Sequence, residues 1–164
     1  MTVNAIVEEM GRLQQLHESL LALSTQKTSA LKSNDTKAIQ QLLTKERKHI
    51  QAIEKIEKER RTAVDSWLHK TGMNMDNPTV SAICECLEGQ DKQMLEGAYE
   101  SLLHVLADLK SQEELNAELT KQSLQFVSLS LDLLQPSIQS MNYAQNENPG
   151  DSGAPKRSLF DSKA

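Results

Sequence analysis

The chain is short of the residues that build a compact mixed fold. Five of its 164 residues are aromatic: Trp67, Tyr99, Phe126, Tyr143 and Phe160. Large rings normally anchor a globular core, so the core here must come from Leu, Ile, Val, Met and Ala. There are few β-branched or aromatic clusters to favour a sheet, while Glu, Lys and Gln are plentiful and favour helix. No run approaches about 18 apolar residues, so no transmembrane helix is expected. The opening MTVNAIVEEM has no basic start and no apolar stretch, so no secretory signal peptide is expected. There are two cysteines, Cys84 and Cys86. On a helix they point about 200° apart and cannot bridge. Both read as reduced thiols, which suits a cytoplasmic protein.

Catalytic and metal-binding patterns are missing as well. The sequence has no phosphate-binding glycine loop and no nucleophile elbow. Glu46 and His49 form one Glu-x-x-His pair, the spacing of di-iron bundles. His17, His69 and His104 follow Gln14, Ser66 and Ser101, so the second pair that such a site needs is absent. Cys84 and Cys86 lack the second cysteine pair of a zinc framework. The expectation is therefore no catalytic residues, no metal, no cofactor and no small-molecule substrate.

The net charge of −5 is unevenly spread: residues 37–61 sum to +4 and residues 62–135 to −8. Pairing between a basic helix and an acidic one is the simplest expectation. Nucleic-acid binding is not expected, because glutamates interrupt the basic stretch and no aromatic residue interleaves it.

Periodicity supplies the fold. Val3, Ile6, Val7, Met10, Leu13, Leu16, Leu20 and Leu23 recur in steps of three and four, predicting a helix over about residues 3–32. Ser33-Asn34-Asp35 breaks it, and Asp35 is placed to cap a second helix over about 36–70. That helix carries Ile39, Leu42, Leu43, Ile50, Ile53, Ile56, Val64, Trp67 and Leu68. The short connection makes the two helices antiparallel neighbours. Gly72 suits the end of the second helix. Asn77-Pro78 reads as an N-cap and first helical residue for a short helix over 78–87. A last long helix spans about 91–134, with Pro136 as its stop. The fold class is all-α: an elongated antiparallel helical hairpin within a bundle of three long helices, with a short connecting helix. The domain reading is a helical domain at 1–135 and a disordered, Asn-, Ser-, Gly- and Pro-rich tail at 136–164.

The end of the last helix, LQFVSLSLDLL, stands out. With Leu124 at 0° and 100° per residue, Leu134, Val127, Leu131 and Leu124 fill a sector from about 280° to 360°. Leu129, Leu133 and Phe126 fill another from about 140° to 200°. One face can pack on the protein's own hairpin, whereas the other has no obvious partner in the chain. An exposed apolar helix face marks a protein–protein site, and its natural ligand is another amphipathic helix. Three outcomes remain open: a heterologous helix, burial of both faces by the protein's own first two helices, or a second copy, the last giving a self-associating coiled-coil adaptor.

The order of elements resembles the FlgN family of flagellar export chaperones. The features that carry the likeness are a leucine-rich opening helix, a Lys/Glu-rich second helix, a long third helix, the tyrosine-containing MNYAQNENPG, and the closing RSLFDSKA of Bacillus-type members. The resemblance implies a cytoplasmic type III secretion chaperone for hook–filament junction proteins of the FlgK and FlgL type, which it delivers to the export gate protein at the membrane. It implies that Leu124, Phe126, Val127, Leu129, Leu131, Leu133 and Leu134 hold the substrate's C-terminal helix, and that Tyr143 contacts the gate. A homodimer of the unloaded protein is the alternative state.

Overall fold

The structure, a computed structural model, describes residues 3–76 and 78–145, with side chains described as far as residue 134. Four helices follow in order: α1 (Asn4–Lys32), α2 (Thr36–Thr71), α3 (Val80–Glu85) and α4 (Gly89–Gln145). There is no strand among the described residues. Packing divides the chain into two units, Met1–Ser123 and Leu124–Ala164.

In the first unit the helix boundaries follow the local chemistry. Asn34 takes a left-handed conformation at φ 54°, which Asn tolerates better than most residues because its short amide bonds locally. The turn is closed by the Asp35 amide, which donates to the Ala30 carbonyl at 3.0 Å. The Asp35 carboxylate then accepts from the Ala38 amide at 3.0 Å, satisfying one of the donors left free at a helix start. Gly72 ends α2 at φ 69°, where a Cβ would be strained, and the Met73 amide returns to the Leu68 carbonyl. The α1–α2 hairpin stands as expected.

The short helix starts later than its sequence suggests. Thr79, not Asn77, caps α3: its hydroxyl oxygen accepts from the Ala82 amide at 3.1 Å. Asn77 itself lies outside the described residues. Pro78 thus precedes the cap instead of opening the helix. Pro136 does not stop α4, which runs on to Gln145. A proline removes one backbone hydrogen bond and crowds the preceding turn, but residues 137–145 contain no Gly or Pro to prevent the helix from resuming. The part of the expected tail at 146–164 lies outside the described residues.

The main core gathers Val3, Ile6 and Met10 of the N-terminal region, Val64, Trp67 and Leu68 of α2, Ile83 and Cys84 of α3, and Leu95 of α4. Cys84 is buried and Cys86 exposed; burial, with Glu96 nearby, pushes the Cys84 thiol pKa up. At the turn end of the hairpin a smaller cluster joins Leu23, Ala30 and Leu42. Not every residue of the predicted α2 stripe is covered: Leu43 and Ile50 are exposed.

Beside the smaller cluster the helices are joined by polar groups. Lys27, its side chain only 11% exposed, bridges Glu46 of α2 and Glu113 of α4 at 2.8 and 3.0 Å. Ser24 donates to Glu113. Asn116 donates to the Ser24 carbonyl at 2.9 Å and accepts from the Thr28 hydroxyl at 2.6 Å. Burial opposes the Lys27 charge, but hydrogen bonds and charge attraction from Glu46 and Glu113 outweigh it and raise its pKa. Charge pairing between helices therefore uses basic residues of α1: Lys27 with Glu46 and Glu113, and Arg12 with Glu59 of α2 at 3.1 Å. Basic residues of α2 meet glutamates of their own helix: Arg60 and Arg61 both reach Glu57. The Arg60 hydrogen bond, working against burial, lowers the Glu57 pKa.

Candidate functional site

The seven residues singled out in the sequence all lie on the α4 stretch of the second unit, and all are exposed. Phe126 and Leu133 reach 72%, Leu124 66%, Leu129 59%, Leu131 58%, Leu134 56% and Val127 53%. The helix period explains why they fall on two faces, and neither face is buried. The stretch carries one charge, Asp132. The Ser130 hydroxyl needs little from outside, since it donates to the Phe126 carbonyl one turn back at 2.9 Å. Such a surface presents hydrocarbon with few competing polar groups. It suits helix-on-helix packing.

Tyr143 belongs to α4 rather than to a segment beyond it; its side chain lies outside the described residues. The Glu46–His49 pair is not assembled into a cluster. Glu46 is held by Lys27, while the His49 ring bonds Ser19 at 2.8 Å and the Lys45 carbonyl at 2.9 Å. No group of three or more His, Cys, Asp or Glu side chains is placed to hold a metal ion among the described residues. Nor is any of the described helices long and apolar enough to cross a membrane.

The first unit has a groove that the sequence did not suggest. It has a volume of about 800 Å³ and runs between the start of α1 and the end of α2, lined by Ala5, Ile6, Thr62, Ala63, Ser66 and Trp67 among others. Small residues on both helices leave this space. The available signal was the small size of Ala5, Ala63 and Ser66, and only the packed hairpin brings them to one groove.

Long helices, an apolar core at one end of the first unit and an apolar helical surface in the second define an all-α helical protein. The family model described as FlgN protein matches residues 1–149. The chain is also similar to the uncharacterized protein YvyG of Bacillus subtilis (strain 168), at 42% identity over 164 residues, with both chains covered completely. No solved structure matches it. The chain belongs to the FlgN family, a family of flagellar export chaperones and not of enzymes.

Proposed function

We propose that this protein is a cytoplasmic chaperone that binds the C-terminal helical regions of hook–filament junction proteins, of the FlgK and FlgL type, and delivers them to the export gate. Membership of the FlgN family supports the general role. The observation that carries the binding site is the exposure of seven large apolar side chains on residues 124–134. Water is excluded from such a surface most readily by an amphipathic helix, which brings an apolar stripe of matching period.

Magnitudes favour a reversible carrier. Full burial of a large apolar side chain contributes roughly 1.5–3 kcal/mol, while association costs on the order of 4–15 kcal/mol before ordering of side chains is counted. The gain available from Phe126, Leu129 and Leu133 is thus of the same order as the cost of association, which suits a carrier that must release its cargo. Tyr143, near the end of α4, is assigned to contact with the export gate, in keeping with the family resemblance.

The test is co-purification of a junction protein with the full chain and with a Phe126→Asp/Leu133→Asp variant. Capture should be lost while circular dichroism shows unchanged helicity. Capture retained by the variant would place the cargo elsewhere, and loss of helicity would make these residues structural. Self-association through the same faces is the competing reading. A size measurement with and without a junction-protein C-terminal peptide separates them: a dimer that the peptide leaves intact would favour the adaptor.

A further inference from the structure

The groove between the start of α1 and the end of α2 has two ends that differ in charge. At one end lies Glu59, already held by Arg12 at 3.1 Å and by Lys55 at 3.9 Å. At the other lies Lys70, exposed and paired with no carboxylate among the described residues. The start of α1 shares the Lys70 end, since Ile6 packs with Trp67 in the main core while Arg12 meets Glu59. A helix start is electropositive. Here Val3 makes no side-chain cap, and the first turn carries no acidic residue.

The floor of the groove also calls for an acceptor. Trp67 lines it and is only 5% exposed, and its indole N–H has no hydrogen-bond partner. Glu46 Oε1, the other buried polar atom without a hydrogen bond, is compensated by the Lys27 ammonium at 2.8 Å. Among the described residues the Trp67 N–H is therefore the one buried side-chain donor with nothing opposite it. A donor in that state favours an occupant that brings an oxygen to it. From Glu59 to Lys70 the lining follows α2 for about 16 Å, or roughly three turns. A groove of that length between two helices accepts one face of a third.

We propose that this groove docks an acidic amphipathic helix of a partner protein. Its leucine-type side chains lie against Ile6, Ala63 and Trp67, and an Asp or Glu side chain lies at the Lys70 end. The unpaired Lys70 and the uncapped start of α1 select the carboxylate. A cation gains little at the opposite end, where Glu59 already has Arg12 and Lys55. Ala5, Ala63 and Ser66 are small enough to let the incoming backbone come close. This surface is separate from residues 124–134 and stands whether or not those residues hold cargo.

The test uses the full chain and a synthetic helical peptide of about 15 residues, long enough to form a helix when bound. Its leucines recur at helical spacing, its ends are acetylated and amidated, and its one carboxylate is a Glu placed a turn after the last leucine. Trp67 is the only tryptophan of the chain, so its emission reports on the groove. The Glu peptide should change that emission saturably. Its Gln counterpart should bind on the order of 10-fold more weakly, the loss expected for a charged hydrogen-bond partner, and its Lys counterpart more weakly still. Lys70→Glu should reverse the preference between the Glu and Lys peptides. Ser66→Gln, which fills the groove from an exposed position, should abolish binding with helicity unchanged.

Equal affinity for the three peptides, or no response of Trp67 to the Glu peptide, would overturn the proposal. So would binding that survives Ser66→Gln and is lost in Phe126→Asp/Leu133→Asp, which would put the peptide on residues 124–134 and leave the chaperone reading standing. A dimer that Ser66→Gln dissociates would give the groove to a second copy and overturn it as well.

Discussion

Leu95 and Leu133 are the same residue on the same helix, yet one is 0% exposed and the other 72%. Around Leu95, the first unit supplies Val3, Ile6, Met10, Trp67 and Ile83 from three directions. Around Leu133 the helix repeats the same apolar chemistry and the side chains stay exposed. A third region lies between these extremes: Lys27, Glu46, Glu113, Ser24, Thr28 and Asn116 join α1, α2 and α4 through polar bonds. Residue type thus sets what a helix can do, while the groups opposite decide whether it stabilises this fold or waits for another surface.

The largest expected effect separates the two leucines. Leu95→Ala should destabilise the protein by about 2–5 kcal/mol in denaturant unfolding, through lost burial and the cavity left behind. Leu133→Ala should stay within about 0.5 kcal/mol, because an exposed side chain leaves no cavity. Equal losses at both sites would erase the distinction.

The polar region comes next. Lys27→Met leaves Glu46 and Glu113 without their shared cation and should cost roughly 3 kcal/mol, towards the low end for a broken buried pair because Glu113 is 43% exposed. The sign of its pH dependence follows from the raised Lys27 pKa. The stabilisation is fully present below the ordinary value of 10.5 and is lost as pH rises through the higher folded value. The gap between wild type and Lys27→Met should therefore be constant near neutral pH and close in strong alkali. A gap that widened there would contradict the assignment. A smaller effect is expected at the hairpin turn: Asp35→Ala should cost about 1 kcal/mol in thermal unfolding, the usual loss of a helix cap.

These contrasts also show what could be read from the sequence. The α1–α2 hairpin, the Asp35 cap and the Gly72 terminus were legible because each depends on a few neighbouring residues. The apolar period of residues 124–134 was legible for the same reason. The polar junction was not: Thr28 and Asn116 are 88 residues apart, and only the packed register brings them together. Local signals also competed. Asn77-Pro78 looked a better helix start than Thr79, and Pro136 looked a firmer stop than the helix-compatible stretch after it allows. Leu43 and Ile50 fit the α2 stripe but are exposed, since periodicity marks an apolar face without showing how much of it a neighbour covers.

Amide hydrogen exchange of the full chain, with and without a junction-protein C-terminal fragment, bears most directly on the role given to the end of α4. New protection concentrated at residues 124–134, with the amides of the main core unchanged, is the predicted result. Protection confined to the α1–α2 hairpin, with residues 124–134 exchanging as fast as before, would contradict it.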